Sequence, residues 1–112
     1  MSRYVKRGAN IICIITNDGW WGNTQGHKQH MNYARLRAIE TRTWIARSAN
    51  TGISCFIDPR GRVMNPLPWD KTGAIKMNVP FSENKTFYVL YGDLISKAAA
   101  VISILLLLTR IH

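Results

Sequence analysis

Asn17-Asp18-Gly19-Trp20-Trp21-Gly22 is where this sequence concentrates side chains capable of recognition. An Asn-Asp-Gly turn leads into two adjacent indoles bracketed by Gly19 and Gly22, and the preceding run Ile11–Ile15 is apolar enough for a buried strand. Indoles in a loop either pack on the domain or meet a ligand, and α/β proteins favour the ends of buried strands for their sites. Asn17, Trp20 and Trp21 are therefore the candidate substrate-binding residues. One indole is expected to anchor the loop and the other, Trp21, to make the contact.

Other reactive types are scattered. His27 and His30 lie three apart, suited either to metal ligation from one helix face or to polar roles in a loop or first helical turn. No second pair of Cys, His, Asp or Glu at ligand spacing accompanies them, so neither a metal nor a cofactor is expected. Arg35 and Arg37 suit either a phosphate or internal pairing, with Glu40 three residues after Arg37. Cys13 and Cys55 each fall inside an apolar strand-like run, where a small buried, unreactive thiol is the expectation. A disulfide between them requires neighbouring strands. Trp69, after Pro66-Leu67-Pro68, reads as a surface or interface aromatic.

The elements that must position these residues read as α/β. Helix formers predict a helix near Lys28–Arg42, whose apolar residues form no single clean stripe and so suggest contact on more than one side. Strands are expected at Trp44–Ala49 and Ile53–Ile57, separated by the turn Asn50-Thr51-Gly52. Asp58-Pro59-Arg60-Gly61 matches a type I turn, returning the chain through Arg62-Val63-Met64 as an antiparallel partner. Ala74–Val79 reads as a last strand and Pro80–Lys85 as a polar linker.

The chain has 112 residues, enough for one small domain, and its 15 Lys/Arg against 6 Asp/Glu give a net charge of +9. That excess draws anionic partners: nucleic acid, a phospholipid surface or acidic substrates. The basic residues are dispersed, with no zinc-finger spacing and no Lys/Arg-Gly-aromatic signature, so nucleic acid is not the expected partner. No apolar stretch of signal-peptide length follows Met1. At the other end Leu94–Ile111 would form about 27 Å of apolar helix, with Lys97 and Arg110 placed to snorkel. It is expected to be a transmembrane helix, with Asp93 pairing with Lys97 on one face.

In order and spacing, the Ile-rich strand, the Asn-Asp-Gly-Trp-Trp-Gly loop, Gln29-His30, the Ala34–Glu40 segment and Asn50-Thr51-Gly52-Ile53-Ser54 resemble the apolipoprotein N-acyltransferases. These are a membrane branch of the nitrilase, or carbon–nitrogen hydrolase, superfamily. The resemblance runs from Gly8 to about Val63. It implies part of a four-layer α-β-β-α sandwich at residues 1–80, a linker over 81–93 and a transmembrane helix at 94–111. It further implies a bacterial inner-membrane protein whose sandwich faces the periplasm. Such enzymes pass an acyl chain from a phospholipid donor, through a cysteine thioester, to the N-terminal amine of a diacylglyceryl apolipoprotein. Their catalytic Glu, Lys and Cys precede the strand that opens here at Gly8. None of the three is matched in this chain, which is expected to be an inactive C-terminal fragment of such an enzyme. The alternatives are a fragment of a soluble nitrilase-type amidase, for which an apolar terminal helix has no use, and a non-enzymatic membrane-anchored basic module that binds anionic lipid or nucleic acid. A simple charged module needs no Trp-Trp loop.

Overall fold

The computed structural model of the chain describes residues 1–110. A short helix, α1 (Ser2–Lys6), precedes β1 (Ile11–Asn17), and a single 3-10 turn at Gly19–Trp21 leads to α2 (Gln25–Thr41). β2 (Trp44–Asn50), β3 (Ser54–Ile57) and β4 (Val63–Leu67) follow, then α3 (Phe87–Tyr91) and α4 (Leu94–Arg110). The four strands form one sheet in the order β1-β2-β3-β4. β1 and β2 run parallel, in a register that sets Ile11 beside Trp44 and Asn17 beside Asn50. Parallel neighbours need a crossover, and α2 is that crossover. The remaining pairings are antiparallel, as expected for a strand returned by the Asp58–Gly61 turn, which closes with Gly61 N–H donating to Asp58 O at 2.8 Å.

α2 starts one turn earlier than the composition suggests because Thr24 caps it: its hydroxyl accepts from Gly26 N–H at 3.2 Å. It ends where Arg42 turns left-handed, at φ 51°. The helix buries His27, Ala34, Ala38 and Thr41, whose spacing of seven, four and three draws one narrow stripe. Small side chains let it approach the sheet over Ile45, Cys55 and Ile57, with Ile12, Ile14, Met31, Ile53 and Val63 at the margin. The larger apolar residues Tyr33, Leu36 and Ile39 are exposed, which accounts for the untidy sequence pattern.

Among the described residues only one face of the sheet carries a helix. On the other, Ile15 is 88% exposed, and residues 73–75 cross a groove of about 350 Å³ lined by Cys13, Ala46, Phe56 and Leu67. Ala74–Val79, expected as a strand, is irregular. This segment pairs with no strand, and its first residues, Ala74 and Ile75, line the groove on the uncovered face instead.

The apolar C-terminal helix forms over Leu94–Arg110, but the expected transmembrane span over Leu94–Ile111 is not shown. Its seventeen described residues rise about 25 Å, and among the described residues no helix is long and apolar enough to cross a membrane. Ile111 lies outside the described residues. Asp93 turns to Ser96 rather than to Lys97, accepting from Ser96 N–H at 3.0 Å and Oγ–H at 2.6 Å. These bonds hold its carboxyl below the usual range; among the described residues it makes no ion pair with Lys97.

Candidate functional site

Arg47 lies on β2 two residues after Ile45, so its side chain enters the helix-covered face. There Nη2 donates to Asp18 Oδ2 at 2.7 Å, and both side chains are buried. Arg47 Nη1 also donates to Ile53 O. Asp18, the first residue beyond β1, additionally accepts from Thr16 Oγ–H at 3.2 Å and meets His30 Nδ1 at 2.8 Å. An ionised carboxylate only accepts, so His30 donates through Nδ1. Burial by itself pushes the Asp18 carboxyl up, but hydrogen bonds from Arg47 and His30, with their charge, outweigh it and hold the group below its ordinary value. Gly52, in the turn after β2, closes the site from the side. A Cβ there would stand 2.6 Å from Asp18 Cβ, so no larger residue fits without displacement.

The Trp loop is built on this carboxylate. Asp18 N–H donates to Asn50 O at 3.3 Å, joining the ends of the two parallel strands. Asn17 Oδ1 accepts from Gly19 N–H at 3.1 Å and from Asn50 Nδ2 at 3.4 Å, so its side-chain oxygen shapes the turn. Thr24 Oγ–H donates to Trp21 O at 2.7 Å, tying the loop to the start of α2. Trp21 lies against Gly26, where a Cβ would come within 2.9 Å of Cε3, and its ring centroid is 6.4 Å from that of His30. Trp21 is 51% exposed and Trp20 85%. Trp21, expected to make the contact, is thus the more packed of the two indoles, and Trp20 projects further.

The remaining candidates separate. His27 is buried with its ring 4.3 Å from that of Trp69, whereas His30 turns to Asp18, so the two imidazoles serve different partners. Among the described residues no three His, Cys, Asp or Glu gather as a metal site. Arg35 Nε donates to Gly61 O at 2.8 Å and Arg37 pairs with Glu40, the internal alternative in both cases. Asp58 accepts from the backbone N–H groups of Arg60 and Arg62, and from Arg62 Nε at 2.6 Å. Burial by itself raises its carboxyl, and the bonds from Arg62 and Arg60, with the Arg62 charge, together hold it below its ordinary value.

Sequence reasoning missed Asp18 as the hub and Arg47 as its partner. The signal was present: an arginine in phase with Ile45 in a strand needs a buried acid, and the Asp18 turn follows a neighbouring strand.

Residues 1–87, which include all four strands and the α2 crossover, match the carbon–nitrogen hydrolase family. The chain belongs to that family. Among its relatives, the apolipoprotein N-acyltransferase of Chlorobaculum tepidum is 41% identical over 95 residues, covering 85% of this chain and 18% of its own length. Those of Geobacter metallireducens and Allorhizobium ampelinum are 36% and 43% identical, covering 91% and 94% of this chain but 20% and 21% of their own. The chain therefore spans about a fifth of the length of the curated relatives it matches.

In this carbon–nitrogen hydrolase chain the two thiols differ. Cys55 is buried beside Arg47, and burial raises its thiol. Cys13, expected to be buried, is exposed. It lies on β1 opposite Ala46, on the face without a helix, whereas Cys55 pairs in register with Arg47 on the covered face. With β2 between their strands, no disulfide joins them.

Proposed function

We propose that this chain is the part of a membrane N-acyltransferase of the carbon–nitrogen hydrolase family that presents an indole to the acyl-chain path. Trp20 carries the reading: an exposed indole on a loop fastened from beneath by a buried ion pair, at the carboxyl ends of two parallel strands, where α/β folds place ligands. An indole offers apolar area to an acyl chain and an N–H to the headgroup layer. The donor is a phospholipid and the acceptor the N-terminal amine of a diacylglyceryl apolipoprotein. A cysteine thiolate takes the acyl group with release of the lysophospholipid, and the amine then takes it from the thioester, returning the thiolate.

Neither thiol here suits that step. Cys55 is buried with its thiol raised, and Cys13 stands exposed on a plain strand face rather than on a loop beside a base. Residues 1–112 alone are accordingly a partial unit that transfers no acyl group. In the whole enzyme the uncovered sheet face, with Ile15 and Cys13, meets a second sheet of an α-β-β-α sandwich. The placement is the bacterial inner membrane with the sandwich on the periplasmic side, and α4 contributes apolar surface to the lipid.

Replacing the matching segment of the Chlorobaculum tepidum apolipoprotein N-acyltransferase with residues 8–67 tests this directly. The chimera should transfer acyl groups to a diacylglyceryl lipopeptide, while residues 1–112 alone should not. A chimera that folds and reaches the membrane yet transfers nothing would remove the reading.

A further inference from the structure

α1 and α3, each of five residues, are too short to persist alone. They hold each other at one corner of the molecule. Lys6 Nζ donates to Leu90 O at 2.9 Å, and Lys85 Nζ donates to Lys6 O at 2.9 Å. Val5 and Val89 are buried there. An ammonium has three N–H donors, so each lysine keeps two for an outside acceptor while its position is fixed. Arg3 and Arg7 are exposed on the same short helix and its cap. Lys97 extends from α4 back toward Gly92, where a Cβ would lie 3.7 Å from its Nζ. Five cations thus gather at this corner against Glu83, Asp93, which is engaged by Ser96, and Glu40, which lies beneath Thr86 and is paired with Arg37.

The same corner carries exposed aromatic rings. Tyr4, Phe81, Phe87 and Tyr91 are all exposed, with Phe87 and Tyr91 4.8 Å apart. Beyond them α4 leaves at Leu94 as an apolar helix with no buried residue. Cations, aromatic rings and an apolar helix in that succession match the headgroup, interfacial and acyl layers of a bilayer leaflet.

We propose that the α1–α3 corner is a docking surface for an anionic phospholipid bilayer, with Arg3, Lys6, Arg7 and Lys85 on headgroup phosphates and Tyr4, Phe87 and Tyr91 at headgroup depth. This rests on the membrane placement given above and adds the charge of the lipid and the residues that read it. Charge complementarity and continuity with α4 select this occupant: a polar protein partner would leave α4 uncovered.

Flotation of the full chain, synthesised in the presence of vesicles, tests it. Vesicles of phosphatidylcholine are compared with vesicles containing one third phosphatidylglycerol, at low and high salt. Arg3→Gln/Arg7→Gln removes two cations while leaving the Lys6 and Lys85 hydrogen bonds in place, and circular dichroism checks that it folds. The full chain should favour the anionic vesicles at low salt. The variant should lose about fivefold per cation removed, roughly 25-fold in total, on the anionic vesicles only. Equal binding to both vesicles, or an unchanged variant, overturns the corner while leaving membrane placement standing. Binding to neither overturns both.

Discussion

Arg47 reaches from the second strand to Asp18 at the end of the first, Nη2 to Oδ2 at 2.7 Å, and neither side chain is open to solvent. The loop bearing the exposed Trp20 therefore rests on a charge pair that cannot be halved cheaply. Arg47→Met should leave Asp18 buried without its partner and destabilise the fold by about 3–5 kcal/mol in chemical denaturation. Arg47→Lys should recover only part of this, because one ammonium cannot serve both Asp18 and Ile53 O in the geometry of the guanidinium fork. A cost below about 1 kcal/mol for Arg47→Met would show that water reaches the site.

The two indoles should part company on substitution. Trp20→Ala, at an exposed position, should change stability by no more than about 0.5 kcal/mol. In the chimeric acyltransferase it should slow transfer at limiting phospholipid. Trp21→Ala removes a ring half-buried against Gly26 and should cost about 1.5–2.5 kcal/mol, roughly half the figure for a fully buried aromatic. The opposite ranking in thermal melts would reverse the assignment of anchor and contact.

Gly52→Ala introduces a methyl group into space held by Asp18. Overpacking of this kind costs about 1–3 kcal/mol, and the displaced carboxylate should also loosen the Trp loop. Faster amide exchange at Gly19 and Gly22 in the variant would register that loosening, and unaltered exchange with unaltered stability would refute the close packing.

Acid should act through Asp18 and Asp58, both held below the ordinary carboxylate value. A carboxyl depressed in the folded state binds its proton less readily there than when unfolded. Its stabilisation is present above the unfolded value, near 4, and is lost as pH falls through the lower folded value. Denaturation midpoints should thus be flat with respect to these two groups above about pH 5 and fall below about pH 4. Asp18→Asn should flatten the acid limb, and a midpoint that kept its full acid dependence in Asp18→Asn/Asp58→Asn would assign that limb to other groups.

Thiol chemistry should distinguish the sheet's faces. In the native chain Cys13 should alkylate with iodoacetamide, and Cys55 only after denaturation. Mass spectrometry of the peptides reads both, and native modification of Cys55 would mean that the helix-covered face opens.

Local interactions made much of this chain legible in its sequence. Ile11–Ile15 is a strand, Asp58–Gly61 is a turn with a returning strand, and Gln25–Thr41 is a helix, because β-branched runs, Pro and Gly positions and helix formers act within a few residues of themselves. The family resemblance was legible for the same reason: the order and spacing of the Asn17–Gly22 loop, the Ala34–Glu40 segment and the Asn50–Ser54 turn lie along the chain. What tertiary structure decided was every question of facing and partnership. Cys13 and Cys55 read alike in sequence, yet only one lies under α2. Trp20 and Trp21 are neighbours, yet only Trp21 meets Gly26. Ala74–Val79 has strand-like composition, yet it pairs with no strand and its first residues line the uncovered face of the sheet. Asp18 read as one polar residue in a turn until the parallel register of β1 and β2 carried Arg47 beneath it. Burial and pairing depend on groups distant in sequence, 29 residues apart for Asp18 and Arg47, and no local propensity encodes which of them will meet.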